Sequence, residues 1–180
     1  MRWMVFDVES VGLHGEGFAV GWVLIDDRGI EYASGHYACD PREARAESPE
    51  SLAWVQKNCS HPVNCEGPLL VRTAFYENYR DYNGRDIPGR TCTLAADVPW
   101  PVEARFLAQV FDDYPERRGH APYPLIDIAS VRLAAGLNPL ATCRRYPEEM
   151  PAHSPLADAR QSARLLLEAL NITNRGVVIG

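Results

Sequence analysis

Two acids stand two residues apart near the start of the chain, Asp7 and Glu9, at the end of the apolar run Trp3-Met4-Val5-Phe6. Residues 3–9 read as a strand that is apolar on both faces, as a strand covered by helices on two sides must be. Such a strand sends both carboxylates off one face with Cα atoms roughly 6.5–7 Å apart, a span that two metal ions about 4 Å apart can bridge. Like charges on a buried strand are costly unless something positive joins them. Near the other end, His153-Ser154-Pro155-Leu156-Ala157-Asp158 carries a second pair. Ser154 suits an N-cap and Pro155 the first helical position, which predicts a helix with Leu156, Ala159, Ala163, Leu166 and Leu170 on one buried stripe. Asp158 then sits one turn into a rigid helix, with His153 on the approach loop. There an imidazole can move a proton while the carboxylate holds a metal. Each pair also has a plainer reading, as a strand fraying into an acidic loop or as a loop histidine beside a first-turn aspartate that favours the helix dipole.

The middle of the chain offers two further acids. Residues 91–96 read as a fourth strand of small and β-branched residues, with Asp97 at its C-terminal edge, and Val98-Pro99-Trp100-Pro101 stops it. A helix over residues 102–111 follows, on which Glu103 shares a face with Phe106, Leu107, Val110 and Phe111. An acid on that stripe points at protein, although the helix dipole alone also favours a glutamate in a first turn. Asp127, in Leu125-Ile126-Asp127-Ile128-Ala129, is either another acid of a site or the cap of a helix through Leu133.

The elements that must position these groups follow from the pattern. Residues 18–26 and 30–39 read as two more strands, so three antiparallel strands open the chain. The Gly-rich turn between the first two, Gly12-Leu13-His14-Gly15-Glu16-Gly17, lacks the Lys-Ser/Thr signature of a phosphate loop. Helices are expected over residues 49–57 and 69–82, the second with Tyr76, Tyr79, Arg80 and Tyr82 leading to Arg85, an aromatic and basic interleaving that suits either base stacking or a helix covering a sheet. Cys59, His61 and Cys65 lack a fourth ligand at usable spacing for zinc, which favours a solvent loop over a structural zinc module. Arg144 and Arg145 lie on the loop that delivers His153 and can meet phosphates.

With 180 residues, 46% of them hydrophobic and 23% charged, the chain is long enough to bury a core without staples, and a single domain over residues 1–180 is expected. No run approaches about 18 apolar residues, so no membrane span is expected. Five cysteines at irregular spacing suit reduced thiols, and with no signal-peptide pattern at Met1 the expected location is the cytoplasm. A net charge of −6 argues against binding long nucleic acid through a broad basic surface, but not against a local groove for a short or frayed strand.

On these residues the chain resembles a known family. Phe6-Asp7-Val8-Glu9-Ser10-Val11-Gly12-Leu13 is similar to the first motif, and His153-Ser154-Pro155-Leu156-Ala157-Asp158-Ala159 to the third, of the DEDD exonucleases with a histidine, the group of ribonuclease T, oligoribonuclease and the polymerase III proofreading subunit. The resemblance implies an α/β ribonuclease H-like fold, with a mixed sheet of about five strands flanked by helices. It also implies removal of nucleotides from a 3′ end of RNA or single-stranded DNA, with four acids holding two Mg²⁺ or Mn²⁺ ions and a histidine activating water. Carried over by position, Asp7, Glu9 and Asp158 are metal ligands, His153 is the general base, and Gly12, Leu13, Arg144 and Arg145 meet the substrate. A homodimer is possible, as for many such proteins. The middle motif departs from the family pattern: Asp97 stands near the position of an expected asparagine, and Glu103 stands three residues before Phe106-Leu107, where the family has an aspartate. The fourth ligand is therefore either Glu103 or Asp97. A non-catalytic nucleic-acid-binding relative of the same fold is the alternative, against which the concentrated negative charge argues.

Overall fold

The computed structural model describes residues 1–59, 61–83 and 91–176. Five strands among them, β1 (Arg2–Ser10), β2 (Gly17–Asp26), β3 (Glu31–Ala38), β4 (Thr93–Ala96) and β5 (Leu125–Asp127), form one sheet in the order β3-β2-β1-β4-β5. The first three pair antiparallel, while β4 joins β1 and β5 joins β4 in parallel. Five helices accompany them: α1 (Pro49–Asn58), α2 (Gly67–Tyr82), α3 (Val102–Asp113), α4 (Ile128–Ala134) and α5 (Pro155–Gly176). No helix among the described residues is long and apolar enough to cross a membrane.

The apolar run of β1 divides by the two-residue period of a strand. Met4, Phe6 and Val8 face one core, with Phe75 of α2 and Phe106 of α3; Trp3 and Val5 face the other, with Ile128 of α4 and Ala163, Leu165 and Leu166 of α5. β2 divides in the same way, Val20, Trp22 and Leu24 against Val23 and Ile25. Covering on both faces is what removes the polar alternation from these strands. Asp7 and Glu9 continue the odd-numbered face, towards α5.

Most expected elements lie within two residues of their observed bounds. The fourth strand starts at Thr93, two residues later than its β-branched composition suggests, since its pairing with β1 begins at Trp3. In α2 the buried face is Val71, Arg72, Phe75, Tyr76 and Tyr79 while Leu70 is exposed, because Phe75 packs between Phe6 and Phe106 at ring-centroid distances of 5.0 and 5.7 Å. Arg72 is held there by Glu16 (2.7 Å) and Asp113, which ties the Gly-rich turn to α3. Arg85, expected to extend the basic interleaving of α2, lies outside the described residues. Asp127 acts as the cap of α4, accepting from the Ala129 backbone N–H at 3.0 Å. The five cysteines are free thiols.

Candidate active site

Three of the acids converge through the sheet. Val5 pairs with Ala95 at the end of the parallel β1–β4 ladder, and Asp7 and Asp97, each two residues further on, both line one cavity at the C-terminal edge of β4, the edge at which open α/β sheets bind ligands. The third comes from α5. Gly21 of β2 pairs with Asp7, and a Cβ at Gly21 would lie 2.1 Å from the Leu156 nitrogen and 2.2 Å from the Pro155 carbonyl carbon. Only a glycine lets the first turn of α5 sit on the strand next to Asp7, and that turn carries Asp158. The donor atoms of Asp7, Glu9 and Asp158 lie within 4.8 Å of one another, the only such group of three acid, histidine or cysteine residues among the described residues. Cys59 and the Cys65 loop therefore form no metal cluster of their own; the Cys59 thiol instead donates to Glu9 Oε2 at 3.8 Å.

A cavity of about 310 Å³ opens over these carboxylates, lined also by Asp97, Arg145 and His153. Glu103, in the first turn of α3, is outside the cavity lining and the three-acid cluster: its side chain is buried, its Oε1 accepts from the Val8 backbone N–H at 3.2 Å, and its charge acts on Asp7. Asp97 Oδ1 is buried with no hydrogen-bond partner. His153 is exposed, with its backbone in the left-handed region at φ 60° and its ring edge-on to Trp54 of α1 at 5.0 Å. A non-glycine residue held in that region is costly unless its surroundings fix it. The His153 backbone N–H does so in part by donating to Asp158.

Next to the cavity, sharing Val8 and Glu9 with it, runs a groove of about 560 Å³ lined by Gly12, Leu13, Trp54 and Val102. Gly12 turns the chain at φ +96°, where a Cβ would meet Glu47 and Ser51, and leaves Leu13 65% exposed on the groove wall. The arginine pair divides. Arg144 is exposed and gives its carbonyl to Arg164 (2.8 Å), whereas Arg145 turns inward and forms an ion pair with Asp158.

The electrostatics are those of anions crowded at a buried edge. Burial raises Asp7 well above the usual carboxylate range, with Glu103 and then Asp158 and Glu9 adding to the rise. Burial pushes Glu9 and Glu103 up to about 7, and raises Asp97 and Asp158 as well, the latter against the opposing pull of Arg145. Three hard carboxylates with donor atoms within 4.8 Å, beside the buried and unpartnered Asp97 Oδ1 in the same cavity, are a donor set that suits Mg²⁺ or Mn²⁺.

The sign of the pH effect follows. Glu9 and Glu103 ordinarily titrate near 4.5 and in the folded protein near 7, so between those values the folded state holds protons that the unfolded chain has released, and stability falls as pH rises through that window. Acids with lowered values, such as Asp40 at about 2, have finished titrating below it. His36 and His61, which burial lowers from 6.5, act in the opposite sense below that value, so the thermal midpoint measured in EDTA is expected to drop from pH 6.5 to pH 8, and Mn²⁺ at pH 8 to restore it. A midpoint that rises over this range in EDTA contradicts the assignment.

The layered sheet, with three antiparallel strands followed by two parallel ones and helices on both faces, is an α/β fold of the ribonuclease H-like kind. Among solved structures it is similar to Escherichia coli exonuclease I in complex with a dA16 oligonucleotide, with a TM-score of 0.63 at 12% identity, over 97% of this chain and 42% of that one. The chain thus spans less than half the length of that protein. No family model and no curated protein matches the sequence.

Proposed function

We propose that the chain is a metal-dependent exonuclease that removes nucleotides from the 3′ end of RNA or single-stranded nucleic acid. The observation that carries the reading is the convergence of Asp7, Glu9 and Asp158 within 4.8 Å, under a cavity that also holds His153. The resemblance of the Asp7 and His153 segments to exonuclease motifs supplies the polarity, and the shared fold with an oligonucleotide-bound exonuclease supports it. Asp7, Glu9 and Asp158, with Glu103 or Asp97, would hold two Mg²⁺ or Mn²⁺ ions, which supply charge neutralisation for the phosphate and for the oxygens that attack and leave. His153 takes the proton of the attacking water as the new O–P bond forms and the bond from phosphorus to the 3′ oxygen breaks. Leu13 and Trp54 offer apolar faces to the terminal base in the groove, and Gly12 allows the backbone to come close. Arg144, exposed and next in sequence to Arg145, would meet phosphates further along the strand.

The test is incubation of the purified protein with RNA and DNA oligomers labelled at the 5′ end, in Mn²⁺, Mg²⁺ or EDTA. A ladder shortening one nucleotide at a time, present with metal and absent in EDTA, is expected; activity that survives EDTA overturns the metal reading.

For the fourth carboxylate we favour Glu103, because its charge is the largest that Asp7 feels. In Glu103→Gln the amide oxygen can still accept from the Val8 N–H, yet it cannot balance a cation, so Mn²⁺ affinity and rate should each fall by roughly 10- to 100-fold, with Asp97→Asn milder. Calorimetric Mn²⁺ titration of both variants decides between them. Unchanged affinity in Glu103→Gln hands the role to Asp97.

A further inference from the structure

Arg145 is the one cation lining the carboxylate cavity among the described residues. Its Nη1 donates both to Asp158 Oδ1 and to the Glu149 carbonyl, the latter at 2.9 Å. The second contact belongs to a rigid frame. Glu149 is 2% exposed, and its carboxylate accepts from Arg164 of α5 (2.5 and 3.0 Å) and from the Tyr146 backbone N–H (3.0 Å). The short turn Pro147–Glu149 is thus clasped to the same helix that carries Asp158, with the Arg164 guanidinium lying over the Tyr146 ring at 4.7 Å. Arg145 is therefore placed by the frame and not by Asp158 alone.

A guanidinium on Asp158 and a divalent cation on the same carboxylate repel each other across a few ångströms in a partly buried site, where screening by water is weak. We propose that Arg145 is a built-in counter-cation that competes with the metal ions for Asp158, yields it when they bind, and then pairs with the phosphate of the substrate strand. This rests on the exonuclease reading and adds a residue to it. The planar fork of an arginine matches two oxygens of a phosphate as well as two of a carboxylate, so the guanidinium can change partner while its anchor on the Glu149 carbonyl holds. Cost and benefit are then opposed. Arg145 weakens metal binding to the free protein, and it strengthens the grip on the phosphate once the ions are in place.

Arg145→Gln separates the two effects, with Arg145→Lys as the variant that keeps the charge but loses the fork. Calorimetric Mn²⁺ titration without nucleic acid is expected to show affinity about 3- to 10-fold tighter for Arg145→Gln, since one like charge has left the site, and parent-like affinity for Arg145→Lys. Turnover on a labelled RNA oligomer is expected to fall about 10-fold or more in Arg145→Gln and by less in Arg145→Lys. Unchanged or weaker Mn²⁺ affinity in Arg145→Gln overturns the competition, and unchanged turnover overturns the phosphate contact. Should Arg145→Gln fail to fold, Arg145→Met, which also removes the charge and keeps a long side chain, takes its place with the same two expectations and the same overturning results. A parent protein that binds no Mn²⁺ and releases no nucleotide sinks the exonuclease reading and this one together, whereas an active parent with an indifferent Arg145→Gln sinks this one only.

Discussion

Asp7→Asn is expected to abolish nucleotide release, lowering the rate by at least about 10³-fold, and at the same time to make the protein more stable in EDTA. The two effects have one cause. Asp7 stands at the centre of the cluster, on the strand between Asp97 and α5, and its carboxyl is driven well above the usual range first by burial and then by Glu103, Asp158 and Glu9. A group so placed destabilises the fold whenever it is ionised and nothing positive joins it. The amide of asparagine keeps the shape and removes the charge, so at pH 8 in EDTA the thermal midpoint should rise by roughly 2–4 °C, the shift that about 1 kcal/mol produces in a domain of this size. Under the proposed exonuclease reading, bound ions would turn that cost into function: the same carboxylate that repels its neighbours would be shared between two cations, and losing it would disassemble the pair. Scanning fluorimetry in EDTA and in Mn²⁺, beside the oligomer assay, reads both. An inactive Asp7→Asn protein that is also less stable in EDTA would mean that Asp7 serves the fold, and an active one would remove it from the site.

Much of this was legible in the sequence because the signals are local. The continuous apolar run before Asp7 foretold a strand covered on two sides, and the Ser154-Pro155 start with the stripe Ala159, Ala163, Leu166 foretold α5. Asp7, Glu9 and Asp158 could be chosen by type and spacing, since a strand and a capped helix fix where their side chains leave the backbone. What could not be read is pairwise and long in range. Nothing local shows that Arg145 turns in and Arg144 out; that depends on Glu149 meeting Arg164, 15 residues away. Trp54 sits on a polar helix whose sequence gives no hint that His153, 99 positions along the chain, will stand edge-on to it at 5.0 Å. Gly21 did carry a signal: a glycine inside an apolar strand marks a place where backbone comes close. The sequence does not say which backbone, and the answer, the first turn of α5, is the contact that assembles the site. The choice between Asp97 and Glu103 was open for a related reason. One acid ends a strand and the other starts a helix, and both approach Asp7 only after β4 has paired with β1 and α3 has packed beneath it.

His153→Ala is expected to lower the rate by about 10²- to 10⁴-fold while leaving Mn²⁺ affinity within about 3-fold of the parent, the signature of a lost proton acceptor with the metal ligands intact. The geometry motivates it. The imidazole is exposed at the mouth of the carboxylate cavity, on a loop fixed at one end by the Glu149–Arg164 pair and at the other by the start of α5, with the Trp54 ring limiting its swing. Its backbone is held at φ 60°, which costs of order 1 kcal/mol for a residue of this kind and persists where the surroundings over-determine it. Such a placement presents the ring to the cavity without adding it to the three carboxylates, which already lie within 4.8 Å of one another and do not include it. A base that only accepts a proton can be replaced by a small molecule, so imidazole added to His153→Ala should restore part of the rate, and the same imidazole should do nothing for Asp7→Asn. Trp54→Ala, which frees the ring without removing it, should fall between the parent and His153→Ala in turnover and should bind Mn²⁺ as the parent does. If instead His153→Ala loses its ions and imidazole does not rescue it, the ring is a ligand and another group must take the proton.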